Sequence, residues 1–169
     1  MTFGPMTLGS RLCRLSIVLF GLLAASAAVA DSTDAAQLDQ AFARSSLQIA
    51  TPDARLHSFR VWIADTDARR ARGLMFVKHL DDDAGMLFLY PSKQRIAMWM
   101  KNTYIPLDML FVTANGRVAK VVERTEPQSL KSIESGAEVI AVIELNAGTA
   151  AKLRLRAGAQ IIHPAFAAR

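Results

Sequence analysis

Residues 107–113, Leu-Asp-Met-Leu-Phe-Val-Thr, are apolar on both faces of an extended chain, and Asn115-Gly116 follows them at once. A strand with no wet face has to be covered on both sides, which places it inside a sheet and not on its rim. The Asn-Gly pair supplies the two-residue turn that twists correctly for a hairpin, here into residues 117–123. Pro106 has no amide hydrogen, so it belongs before this strand or at its first position. A regular register pairs Ala114 with Arg117 and therefore Asp108 with Glu123. Two carboxylates directly opposite each other repel, so Lys101, Arg124, a cation or a bulge has to relieve them. Lys101, or the amides around Asn102 and Thr103, is the expected partner of Asp108.

The rest of the chain is read outward from that hairpin. In Arg95–Lys101 the residues Ile96, Met98 and Met100 share one face, and Ala97 and Trp99 share the other, as in a strand. Further strands are expected at 47–50, 56–64, 86–90, 138–145 and 160–163. Asp65 or Thr66 can cap a brief helix that Gly73 ends, and Thr149 can cap another that runs to Leu153. Pro91-Ser92 ends one strand, and residues 125–136 form a polar loop. The expected fold is all-β, a compact sandwich or barrel of about seven or eight short strands with one or two short helices.

The first 30 residues read differently from the remainder. Arg11 and Arg14 precede the apolar run 15–23, and Ala28-Val29-Ala30 is a small-residue cleavage site. That pattern is a secretory signal peptide cut between Ala30 and Asp31, with an apolar stretch short for a membrane span. Residues 31–46 are expected as a leader, partly disordered or a short helix, and 47–169 as one β-rich domain. Removing residues 1–30 leaves 18 basic and 15 acidic residues and no cysteine. The mature chain then has no disulfide and no thiol chemistry. Its slight positive excess, without a basic stripe carrying aromatics, gives no reason to expect nucleic acid. A periplasmic monomer is expected, with no membrane span after cleavage and with an unidentified small molecule or envelope protein as partner.

Five segments occur in a recognisable order: Gly73-Leu74-Met75, Gly85-Met86-Leu87-Phe88, Trp99-Met100-Lys101-Asn102-Thr103, Ile105-Pro106-Leu107-Asp108 and 144–148. Together they resemble the signature of the bacterial and archaeal domain of unknown function 192 family, across residues 47–163. The resemblance implies a compact, mostly-β domain that is often exported and has no established activity, so no catalytic residue transfers to this chain. Met98 stands where an aromatic is common, and Gln128 follows Pro127 where some members have cysteine.

The candidate polar site comprises Lys101, Asn102, Thr103, Asp108, Glu123 and Glu144. Converging at one end of the domain, they would bind a small ligand or a cation. The plainer reading has them satisfying the backbone of a strand junction. Two other chemistries compete with a binding module. Asp108, Glu123 and Glu144 would serve a carboxylate-dependent hydrolase or sugar-processing enzyme. Met98 and Met100, on one strand face, would offer thioethers to Cu(I), although methionine is also a routine core filler. Ser129, Ser132 and Ser135 with His163 lack the glycines of a nucleophile elbow. Arg69, Arg70 and Arg72 read as a solvated helix face. No zinc-spaced histidine pair or calcium loop is present, so no metal or cofactor is expected.

Overall fold

A computed structural model describes residues 1, 2 and 34–167. The expected signal peptide and its cleavage site at Ala30 and Asp31 lie outside these residues. The described chain opens with a helix, α1, over 34–41. It continues as β1 (Ala43–Ala50), β2 (Leu56–Ala64), α2 (Asp67–Arg72), β3 (Ala84–Met98), β4 (Leu107–Val112) and β5 (Val118–Val122). Then come β6 (Ile133–Asn146), α3 (Thr149–Leu153), β7 (Gln160–Ile162) and a 3₁₀ turn at Pro164–Phe166.

The strands form one seven-stranded sheet in the order β5-β4-β6-β3-β2-β1-β7. Every neighbouring pair is antiparallel except β2 and β3, which are joined through α2. The sheet curls until the start of β5 touches the segment at β7, through one isolated bridge between Arg117 and Gln160. Val118 N donates to the Ala159 carbonyl at 2.9 Å, and Ile161 N donates to Gly116 O at 2.7 Å. The mainly-β expectation is therefore met by a half-barrel, and not by two stacked sheets.

Two apolar clusters lie on opposite faces of the sheet. One draws on all seven strands, with Leu47, Phe59, Leu87, Leu110, Val118, Ile143 and Ile161 among its members, and fills the curl. The other includes Trp62, Met86, Phe88, Met98, Met109 and Phe111, under Leu38 and Phe42 of the N-terminal segment and Leu74, Val77 and Leu80. All six residues of β4 are buried, because β4 lies between β5 and β6 with one cluster on each side. The continuous apolar run required this arrangement.

Several local expectations change. Residues 34–41 form the short helix that is one of the two expectations for 31–46, and residues 43–46 already belong to β1. Leu38 and Phe42 are core residues, and the Asp34 carboxylate accepts from the amides of Lys78 and His79 at 2.7 and 2.9 Å. The strands expected at 86–90 and 95–101 are one strand, β3, running through Pro91. The pairing with β6 slips between Leu89 and Gln94, so Pro91 meets no ladder bond that it would have had to donate. β6 begins at Ile133, which takes the end of the expected 125–136 loop into the sheet. The hairpin turn has three residues, with Thr113 N donating to Arg117 O and Gly116 N to Thr113 O, both at 2.9 Å. A bulge between Phe111 and Val112 then restores the register, so Met109 faces Val122. Asp108 and Glu123 fall one step beyond that last pair, one fully buried and the other exposed.

Candidate functional site

Glu144 lies on β6, the strand shared by β3 and β4, with Met86 and Met109 as its cross-strand neighbours. Both methionines are fully buried and neither offers a hydrogen bond. Val142 belongs to the cluster under α1, while Ile143 and Leu145 belong to the curl, so strand alternation turns Glu144 toward the α1 and α2 side. The residue is 4 % exposed, and its carboxyl makes no hydrogen bond or ion pair among the described residues. Burial pushes it up to about 8, so it carries a proton at neutral pH.

This carboxyl borders a cavity of about 220 Å³. Tyr90, Ala97 and Met98 come from β3, Arg70 and Arg72 from α2, and Trp99, Lys101 and Thr103 from the segment after β3. Gly73 and Met75 complete the wall. Gly73 ends α2 at φ 47, and a Cβ there would stand 3.0 Å from the Phe88 ring, so the position needs glycine. Gly85 is equally constrained. A Cβ would meet the Glu144 carbonyl oxygen at 2.5 Å, so glycine lets β3 lie close to β6 beside the acid.

The cations around the cavity differ. Arg70 is committed to structure: it donates to the carbonyls of Asp65 and Leu89 at 2.7 and 2.6 Å and stacks over Tyr90 at 4.9 Å. Arg72 lies 5.4 Å over Phe42, and Lys101 lies 5.4 Å over Trp99. Neither has a carboxylate partner among the described residues. Tyr90 donates to the Met98 sulfur at 3.6 Å. Burial pushes the Tyr90 hydroxyl up, Arg70 pulls it down, and Glu144 adds to the rise.

The rim is held by interlocked loops. Phe76 N donates to Asn102 O at 2.9 Å, and Gln128 N donates to Thr103 O at 3.0 Å. Phe76, Asn102 and Gln128 all have left-handed backbone, at φ 69, 55 and 61, which non-glycine residues seldom adopt. Phe76 packs edge-on against Tyr104, leaving both half-exposed.

Of the six residues expected at one site, Lys101, Thr103 and Glu144 line this cavity. Asn102 is exposed beside it, with its side-chain amide 3.9 Å from the Met75 sulfur. Asp108 is elsewhere. Its carboxylate accepts from Arg124 N at 2.8 Å and from Ala150 N at 2.7 Å, which ties the end of the β4–β5 hairpin to the first turn of α3. Lys101 and the 102–103 amides are not its partners, and the strain expected from Glu123 is absent because Glu123 stays in solvent. Asp108 and Glu144 lie on opposite faces of the sheet, so the three carboxylates do not converge.

The other candidates also find structural partners. Met100 is 1 % exposed, and its sulfur accepts from the Thr125 hydroxyl at 3.1 Å. Among the described residues no group of three histidine, cysteine or acidic side chains is placed to hold a metal. His163 meets none of Ser129, Ser132 or Ser135. Its Nδ1 accepts from Ala165 N at 3.1 Å, and its Nε2 lies 3.0 Å from the Ser45 hydroxyl. With Nδ1 accepting, a neutral ring carries its hydrogen on Nε2, and a donor there cannot deprotonate Ser45.

Reading residue types missed Tyr90, Met75 and Arg72 as neighbours of Glu144. The available signal was positional: Gly73-Leu74-Met75, Phe88, Trp99 and Glu144 all come from the family-like segments, and all border one cavity.

A family model named DUF192, uncharacterized ACR, matches residues 48–163. A solved structure from Sinorhizobium meliloti 1021, described as a candidate transcription regulator, is 37 % identical with a TM-score of 0.70. That match covers 71 % of this chain and 93 % of the other. A protein of unknown function from Novosphingobium aromaticivorans DSM 12444 is 32 % identical with a TM-score of 0.69, covering 71 % of this chain and 85 % of the other. No curated protein matches the sequence.

Proposed function

The chain belongs to the DUF192 family, and from that premise we propose that it is an exported, non-catalytic binding module of the cell envelope whose small-molecule ligand occupies the Glu144 cavity. One observation carries the reading: an acid buried in the sheet has no partner and opens onto a cavity built from the family's own motif residues. A carboxyl that reaches a cavity without a protein partner keeps its donor and acceptor capacity for an occupant. The cavity is smaller than the roughly 300–1,000 Å³ of sites for drug-sized ligands, so the occupant is small. Catalysis by a carboxylate pair needs two acids on one substrate, and among the described residues Glu144 is the one acid in the cavity lining.

Export rests on the segment 1–30 and predicts that the exported protein begins at Asp31. Intact mass showing residues 1–30 retained would refute that part. For the binding site, a thermal-shift screen of small metabolites on the mature protein should yield ligands that raise its melting temperature. Ala97→Trp, which puts an indole in place of a small lining residue, should abolish those shifts. Ligands that stabilise both proteins equally would move the site elsewhere.

A further inference from the structure

The charge distribution around the cavity narrows the ligand class, on the premise that the cavity is a binding site. Its interior has one ionisable acid, Glu144, and the groups facing it from each packed element can be named. β3 contributes Tyr90, Met98 and the cross-strand Met86, and β4 contributes Met109. α2 contributes Arg70 and Arg72, and the following segment contributes Lys101. Arg70 is saturated by carbonyls and by Asp67. Arg72 and Lys101 rest on aromatic rings, with no carboxylate among the described residues to neutralise them.

The mouth is therefore positive and the floor is a neutral acid flanked by hydroxyls. A cationic ligand would have to pass two uncompensated cations and ionise a desolvated carboxyl. An anion meets neither obstacle. The neutral carboxyl can both donate and accept, which suits a hydroxyl or an amide. The Tyr90 oxygen, already donating to sulfur, still has lone pairs to offer.

We propose that the occupant is a small organic anion, its carboxylate or phosphate held at the mouth by Arg72 and Lys101 and its neutral hydroxyl- or amide-bearing body resting on Glu144 and Tyr90. Orientation follows from the burial: the charged end stays in solvent-accessible space, where it keeps part of its hydration, and the uncharged end enters.

Matched probes test this by amide chemical-shift mapping on the mature protein. N-acetylglycine, N-acetylglycinamide and N-acetylethylenediamine share a body and differ in charge, and glycerophosphate against glycerol adds the phosphate arm. The anions should shift the amides of residues 70–75 and 97–103 and bind several-fold tighter than their neutral counterparts. That preference should shrink with added salt and vanish in the Arg72→Gln/Lys101→Gln double variant. Glu144→Gln, which keeps a donor and an acceptor, should still bind the anions, and binding should no longer weaken above about pH 8. Cation binding that strengthens with pH, or equal binding of the neutral probe, would overturn the anion assignment while leaving the cavity as a site. Shifts that persist in Ala97→Trp, or no shifts with any probe, would remove both.

Discussion

Two carboxyls are buried on neighbouring strands of the same sheet, and their surroundings differ in kind. Asp108 faces the inside of the curl, where both oxygens accept backbone amides from separate elements. Glu144 faces the other cluster, surrounded by methionines and an aromatic ring, and accepts nothing among the described residues. Two backbone amides donating to the first acid offset the cost of its burial. The second acid is buried without that compensation and keeps its proton instead. Near-identical chemistry therefore serves architecture on one face and leaves an open valence on the other.

The sharpest way to break this contrast is to delete Asp108. Asp108→Ala leaves two amides without acceptors, and each such loss costs about 1–3 kcal/mol, so we expect roughly 3 kcal/mol in urea denaturation. Asp108→Asn keeps one acceptor and should cost less. If Asp108→Ala melts like the parent, the aspartate is not the fastening it is described as.

Glu144 should reveal itself through pH. Its folded value near 8 lies above the ordinary 4.5, so between those limits the folded state holds a proton that the unfolded chain has released. Glu144's contribution to stability is then fully present below about 4.5, declines as pH rises to about 8, by roughly 1 kcal/mol per pH unit, and levels off beyond. Urea midpoints across that window should slope less for Glu144→Gln than for the parent. Parallel profiles would mean that Glu144 is as well satisfied as Asp108.

Met100 adjoins the cavity region but belongs with the structural set. Met100→Leu preserves volume and should cost under about 1.5 kcal/mol by thermal melt. Stoichiometric Cu(I) binding by the parent that disappears with this substitution would instead make the thioether a ligand. Lys101→Ala should change stability by no more than about 0.5 kcal/mol, because the side chain is exposed and its role lies at the mouth. A large loss would place Lys101 with Asp108 among the fastenings.

What the amino-acid order determines here is local. The two-faced run of β4, the alternation through Met98 and Met100, the Thr66 cap with Gly73 after it, and the mainly-β class all follow from side-chain period, and all are present. The grouping of Lys101, Thr103 and Glu144 as a candidate site rests instead on the polar hinge between two apolar runs. Register, closure and facing are long-range. Pro91 looked like a strand end because a missing donor is a local fact, whereas the slip that makes it harmless lies in the pairing with β6, more than forty residues away. Asp108 gained partners at Arg124 and Ala150 because the half-barrel brings α3 against the hairpin's end, which no spacing within 101–108 encodes. Which of two buried acids is satisfied depends on the face each takes, and a face has meaning only once every other strand is in place. Only the tertiary structure could decide that, because hydrogen-bond partners and dielectric surroundings are supplied by whatever packs across the sheet.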